Sequence, residues 1–244
     1  ISHTKNAIEL GQDQVVELRH DKITITDFDG KPAITKEYVV DWDAKAAEKG
    51  GFDLFMLKEI FEQPKAVAET LVGRLGEDGK LILEEMTLSI GEIANIEKIV
   101  FVACGTAFHS GMIGKYAMER WTRIPCEVEL ASEFRYRDPI LNNRTLVVAI
   151  SQSGETMDTL MAIRHAKSQG AKVLAICNTQ GATIPRESDA VLYTRGGPEI
   201  AVASTKAFLT QVVAVELLSL YFAELRVDKP TAEIKQVMNE LANI

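Results

Sequence analysis

The chain has 244 residues, 46% of them hydrophobic and 25% charged, and a formal net charge of -8. That is the make-up of an ordinary globular protein, sized for one large domain or one domain with an appendage and able to bury a core without disulfide or metal staples. The acidic balance argues against a nucleic-acid surface or a polybasic membrane patch, but it leaves room for a local anion site.

Ile1 stands where a methionine would, with no basic-then-apolar leader, so the chain is expected to be a piece of something longer. Residues 14–19 (QVVELR) and 22–28 (KITITDF) alternate apolar and polar side chains. Asp29-Gly30 signals a turn, and 37–42 (EYVVDW) resumes the strand pattern. Three short antiparallel strands cannot close a core alone. The charged stretch 43–51 (DAKAAEKGG) reads as a linker. In 52–64 (FDLFMLKEIFEQP), Leu54, Phe55, Leu57, Ile60 and Phe61 have a helical distribution that Pro64 ends or restarts. Further helices are predicted from Lys65 to about Leu75 and within 88–96.

From Lys98 the pattern becomes regular. Strands are predicted at 98–104 (KIVFVAC), 126–130 (CEVEL), 145–150 (TLVVAI), 172–178 (KVLAICN) and 190–194 (AVLYT). Helices alternate with them at 111–121, within 132–138, at 155–170 with Met157, Leu160 and Met161 on one face, and at 200–225. Near-continuous apolar strands alternating with helices predict a doubly wound α/β domain with a parallel sheet covered on both faces. No apolar run reaches the length of a membrane span, so no membrane partner is expected. The three cysteines, Cys104, Cys126 and Cys177, are odd in number and form no CxxC pair, which suits a reducing cytoplasm.

In such sheets, ligands bind beyond the carboxyl ends of the strands. Three junctions there are rich in small and hydroxyl residues: 103–111 (ACGTAFHSG), 151–156 (SQSGET) and 201–208 (AVASTKAF). In SQSGET, Ser153 is a candidate N-cap for a helix starting near Gly154, with Thr156 in its first turn. Gly154 opens the backbone N–H groups to close approach, and the helix dipole adds positive potential. Ser151, Ser153 and Thr156 hydroxyls and the Gln152 amide can donate to phosphate oxygens, and Glu155 must then point away. The plain alternative is a serine-rich loop that only caps its helix. Thr106 and the Ser204-Thr205 pair at two other junctions favour one shared polar ligand. Neither GxGxxG nor GxxxxGK[ST] is present, so a compact phosphate on a small molecule fits better than a nucleotide.

Other residues carry less. Cys104 has no base spaced to serve it as a nucleophile. The histidines His3, His20, His109 and His165 lack metal-ligand spacing, and neither a metal nor a cofactor is expected. Lys206 in a first helical turn is expected to be solvated, Glu199 to be a polar ligand residue or loop decoration, and 133–137 (EFRYR) a solvated or subunit-contact face.

At these residues the chain resembles the glutamine–fructose-6-phosphate aminotransferase (isomerising) family, also called glucosamine-6-phosphate synthases. The matching words are KEIFEQP (58–64), ACGTA (103–107), ELASEFRYR (129–137), SQSGET, LAICN (174–178), RESD (186–189) and EIAVASTKAF (199–208). They run in family order from about Glu48 to Phe222. SQSGET alone marks a sugar-isomerase (SIS) domain with a flavodoxin-like fold, whereas KEIFEQP with ELASEFRYR points to this family. The resemblance implies residues 1–42 as the tail of a glutaminase domain and 43–97 as linker and lead-in helices. It implies 98–226 as the first SIS domain and 227–244 as the start of a second lobe.

The resemblance also implies the chemistry. Glutamine amide nitrogen is passed to fructose 6-phosphate, which is isomerised to glucosamine 6-phosphate. The sugar phosphate is held at positions matching Thr106, Ser151, Gln152, Ser153, Thr156, Val202 and Ser204. No catalytic residue is expected on this chain: the family's glutaminase cysteine, Schiff-base lysine and isomerase acid–base residues match nothing here. The implied partners are a phosphosugar, a second copy in a homodimer, and the glutaminase and second SIS domains. Ala201, where glycine is frequent, and Ala107, where some relatives carry serine, depart from the pattern. Two rival readings are a non-catalytic phosphosugar-sensing SIS module and a plain phosphosugar isomerase. The strand-rich N-terminal part and the chain's acidic charge disfavour the first, and the glutaminase-like tail with the lack of a recognisable acid–base pair disfavours the second.

Overall fold

A computed structural model describes residues 4–39, 48–76, 78, 80–226 and 232–241. The end of the expected strand 37–42, most of the linker 43–51 and residues 227–231 and 242–244 lie outside the described residues. The chain divides into two compact units, residues 1–50 and 51–244.

Among its described residues the first unit holds four strands, one more than the alternation predicts. β1 (Asn6–Glu9) pairs antiparallel with β4 (Lys36–Val39), and β2 (Gln14–Leu18) with β3 (Ile23–Asp27). β1 escapes the sequence pattern because NAIE is too short and too mixed to show a period. The turn after β3 needs a left-handed residue, and Gly30 supplies it at φ 80°. Every residue of the four strands is at least partly exposed, with Leu18 above 70%, as is Phe28 just after β3.

The second unit opens with three helices: α1 (Phe55–Phe61), α2 (Gln63–Leu71) and α3 (Ile90–Asn95). Pro64 sits in the first turn of α2, where its missing N–H costs nothing. α3 begins with a capping box: Ser89 Oγ accepts from the Glu92 N–H, and the Glu92 carboxylate accepts from the Ser89 N–H.

The rest is a parallel sheet covered on both faces. Its strands are β5 (Lys98–Ala103), β6 (Cys126–Leu130), β7 (Thr145–Ser151), β8 (Lys172–Cys177) and β9 (Ala190–Tyr193), in the spatial order β6-β5-β7-β8-β9. Between them run α4 (Thr106–Thr122), α5 (Ala131–Phe134), α6 (Met157–Ser168) and α7 (Thr183–Glu187). α8 (Lys206–Arg226) and α9 (Ala232–Leu241) follow. The side-chain period of two sorts each central strand between two cores. Ile99, Phe101, Leu146, Val148, Ile150, Leu174 and Ile176 face α4 and α8. Val100, Val102, Val147, Ala149, Val173 and Ala175 face α5, α6 and α7. Each large side chain so buried contributes about 1.5–3 kcal/mol.

Several helix expectations shift. α4 begins at Thr106, directly behind β5 and ahead of the expected start at residue 111, so His109 and Ser110 lie in its first turns. α6 begins at Met157; the face it buries is Thr159, Leu160, Ala162, Ile163 and Ala166, and Met157 is 63% exposed. α7 was not expected, since five residues containing a proline show no period. α8 begins at Lys206, because residues 200–205 are drawn into a loop by contacts described below. By length and composition α8 is apolar enough to pass for a membrane span, contrary to the expectation that no apolar run reaches that length. Its apolar surface is taken up by the core: Ala214, Val215, Leu218 and Phe222 join the sheet cluster, and Leu217, Leu220 and Ala223 join Leu81. α4 lies so close that a Cβ on Gly114 would stand 2.9 Å from the Val215 Cβ.

Candidate functional site

The strand order reverses between β5 and β7, since β6 leaves β5 to one side and β8 leaves β7 to the other. This places the ligand-binding crevice of a doubly wound sheet outside the carboxyl ends of β5 and β7. A cleft of about 190 Å³ lies at that point. Its lining comes from three segments: Cys104, Thr106 and Ala107 after β5; Ile150–Ser153 and Thr156 at and just beyond the end of β7; and Glu199, Ala201, Val202 and Ser204 before α8, with Gln211 from α8 itself. Thr106, Ser151, Gln152, Ser153, Thr156, Val202 and Ser204, the seven positions singled out in the sequence, thus line one cleft.

The loop Ser151–Thr156 is not the cap the sequence suggests. Ser153 is exposed, and its Oγ accepts from the Glu155 N–H at 3.2 Å. Gly154 adopts φ 69°, which cannot open an α-helix, so the N-cap moves to Thr156. Gly154 is required for space as well: a Cβ there would meet the Ala182 Cβ at 2.5 Å and the Cys177 Sγ at 2.8 Å. Buried Ser151 braces the turn by accepting the Gly154 N–H at 3.0 Å. Its hydroxyl also lies 3.1 Å from that of Thr156. The far side of the loop is pinned by the two residues that follow β8: the Gln152 carbonyl accepts from the Asn178 N–H and the Thr179 hydroxyl.

This arrangement spends the Thr156 hydroxyl on Ser151 rather than on the helix. α6 has no side-chain cap, and neither does α4, whose N-cap is Gly105 at φ 59°. Both helices direct first-turn N–H groups and their positive ends toward the cleft. Glu155, the one acid inside the loop, is turned toward α7, where it accepts from the Thr183 N–H at 2.7 Å and the Thr183 hydroxyl at 3.1 Å.

The third helix terminus differs. Glu199 Oε1 accepts from the N–H groups of Thr205 at 2.9 Å and Ala207 at 3.1 Å, so a carboxylate already sits at the start of α8. Glu199 is therefore a cap as well as part of the cleft lining. Lys206 is not solvated as its position suggests. It is 4% exposed, and its Nζ lies 2.7 Å from Glu62. Among the described residues, two polar atoms at the cleft are buried without a partner, Ser204 Oγ and Gln211 Oε1. Sequence reasoning missed Gln211 because it lies in the second turn of an apolar helix, where only the fold shows which side faces the site.

Cys104 is partly exposed and lines the cleft, whereas Cys126 and Cys177 are buried. Burial pushes both of those thiols up to about 12. Among the described residues no group of His, Cys, Asp and Glu is placed to hold a metal ion. EFRYR is only partly a solvated face: Phe134 is fully buried, while Arg137 pairs with Glu129 and Glu127 and Tyr136 is 73% exposed.

The SIS domain family matches residues 92–221, which span the parallel sheet and most of α8. The chain is 66% identical over 244 residues to a glutamine–fructose-6-phosphate aminotransferase (isomerizing) of Streptomyces coelicolor, covering all of this chain and 40% of that protein. It is 61% identical over 241 residues to the enzyme of the same name from Corynebacterium glutamicum, covering 99% of this chain and 39% of that one. A solved structure, the C-terminal domain of glucosamine-fructose-6-phosphate aminotransferase from Francisella tularensis, aligns with a TM-score of 0.75 at 41% identity. It covers 80% of this chain and 55% of that one. The chain thus spans about 40% of the length of the full-length relatives it matches.

Proposed function

The chain belongs to the SIS domain family, and from that membership we propose that it is the phosphosugar-binding part of a glutamine–fructose-6-phosphate aminotransferase. The observation that carries the reading is the division of labour among three helix starts at one cleft. α4 and α6 present uncapped N-termini, while α8 is already occupied by the Glu199 carboxylate. An anion is favoured only at the first two.

The phosphate of fructose 6-phosphate or glucosamine 6-phosphate is held between them, by Thr106, Ser151, Gln152, Ser153 and Thr156. Among the described residues no lysine or arginine lines the cleft, so neutral donors and the helix dipoles carry the recognition. Val202 and Ser204 face the sugar from the third wall, where a second anion would be repelled by Glu199. Among the described residues no acid–base pair lines the cleft, and we propose that the chain binds its ligand without turning it over. In this proposal the nitrogen transfer and isomerisation belong to the glutaminase and second SIS domains that the likeness to the aminotransferases suggests as partners, together with a second copy of the chain. Apolar side chains that α1 and its approach leave exposed, Leu54 and Phe61 foremost, supply surface for such neighbours. Three free thiols support a reducing, cytoplasmic location.

The test is a thermal-shift titration with fructose 6-phosphate and with free fructose, since a ligand that binds only the folded chain raises its apparent stability. Fructose 6-phosphate is expected to raise the melting temperature at concentrations where fructose does not. Equal shifts from both sugars, or none from the phosphorylated one, would remove the phosphate from the reading.

A further inference from the structure

The segment KEIFEQP contributes no residue to the cleft lining, yet its helix reaches the cleft through one carboxylate. Glu59, in the middle of α1, is 2% exposed. Its Oε1 accepts from the Ile200 N–H at 2.6 Å and the Ala201 N–H at 3.2 Å, and its Oε2 accepts from the Ala201 N–H at 3.3 Å. One turn later Glu62 meets Lys206, the first residue of α8, at 2.7 Å and is also paired with Lys58 at 3.3 Å. The segment between these anchors contains Val202 and Ser204, the third wall of the cleft.

The wall has little packing of its own to hold it. Val202 is fully exposed at 105%, and Ile200 is 44% exposed. Residues 200–205 belong to no helix or strand. Backbone N–H groups bound by a buried carboxylate form charge-assisted hydrogen bonds, about twice as strong as neutral ones. Here those bonds, with the Glu199 cap behind them, fix the loop where apolar contact does not.

We propose that Glu59 is a positioning residue: its grip on the Ile200 and Ala201 amides sets the wall Val202–Ser204 and thereby the affinity of the cleft for its ligand. The ligand half of this statement rests on the reading of the cleft as a phosphosugar site. The grip itself does not.

Two measurements on the 244-residue chain decide it, each with Glu59→Ala and Glu59→Gln. In hydrogen–deuterium exchange, Glu59→Ala is expected to speed exchange of the Ile200 and Ala201 amides at least about tenfold, because their acceptor is gone. Glu59→Gln keeps a carbonyl acceptor and should stay within about threefold of the parent chain. In calorimetric titration with fructose 6-phosphate, Glu59→Ala should bind roughly tenfold more weakly, with the Gln variant restoring most of the affinity. Unchanged exchange overturns the grip. Unchanged affinity in a parent chain that does bind overturns the positioning role while leaving the phosphosugar reading intact. A parent chain that takes up no fructose 6-phosphate overturns the phosphosugar reading and the ligand half with it, and the exchange rates still decide the grip. Should Glu59→Ala fail to fold, Glu59→Asp withdraws the carboxylate by one methylene and is expected to show the same losses. Parent-like behaviour of that variant in both measurements overturns the proposal.

Discussion

The hydroxyls of Ser151 and Thr156 lie 3.1 Å apart across the turn that follows β7. The bond joins the last residue of a buried strand to the N-cap of α6, and it explains why the cap residue leaves its own helix uncapped. Ser151 also accepts the Gly154 N–H, so the two hydroxyls have different duties. Ser151→Ala leaves a buried N–H without a partner and should cost about 1–3 kcal/mol of stability in urea unfolding. Thr156→Ala should cost less than 1 kcal/mol, and either change should remove most of the melting-temperature rise produced by fructose 6-phosphate. Because the residues touch, the double variant should lose less stability than the two singles added together. Full additivity would show that the bond does not form.

Gly154→Ala should be among the most damaging single changes in the second unit. The position combines φ 69° with a Cβ that would approach Ala182 to 2.5 Å, a contact between two short side chains that cannot swing aside. Left-handed strain and overpacking together cost about 2–4 kcal/mol. The loss should appear as a lower urea midpoint with weakened phosphosugar binding. A neutral substitution would mean that α7 can move away from the loop.

Much of this was legible in the sequence, for identifiable reasons. Strands such as Thr145–Ser151 are apolar throughout and bounded by turn residues, so the parallel sheet and the three polar junctions could be read directly. The contents of those junctions were legible too, because Thr106, Ser151 and Ser204 follow or precede obvious elements. What escaped is what depends on partners far along the chain. Lys206 looks solvated until Glu62, distant in sequence, is placed beside it, and Glu59 looks like a surface acid until Ile200 and Ala201 turn their amides toward it. Helix starts were misplaced for the same cause. Ser153 is a sound N-cap by residue type, and only the positive φ of Gly154 hands that role to Thr156.

The cysteines should separate by reactivity. Burial holds the Cys126 and Cys177 thiols at about 12, so at neutral pH neither presents thiolate to an alkylating reagent. Cys104 is partly exposed on the cleft wall. Iodoacetamide at pH 8 followed by peptide mapping should label Cys104 first, and saturating fructose 6-phosphate should slow that labelling. Labelling of Cys177 at a comparable rate would mean that the turn around Gly154 opens readily. Ligand-independent labelling of Cys104 would place the ligand away from that wall.

The Lys206–Glu62 pair gives the chain a pH-dependent hold between α1 and the start of α8. Burial raises the Glu62 carboxyl, but Lys206 and Lys58 outweigh it and leave its pKa below the ordinary value. A carboxylate with a depressed folded-state pKa stabilises the fold above its unfolded value, about 4.3, and the contribution fades as pH falls through the lower folded value. Lys206→Met keeps the buried stem's bulk and removes the charge. It should cost about 1–2 kcal/mol at pH 7, a figure held down by the partial solvation of Glu62. At pH 3 the cost should shrink, because the parent chain is then losing the same interaction. Chemical denaturation of both chains at the two pH values measures this directly. An equal penalty at both would assign the role of Lys206 to packing of its aliphatic stem rather than to its charge.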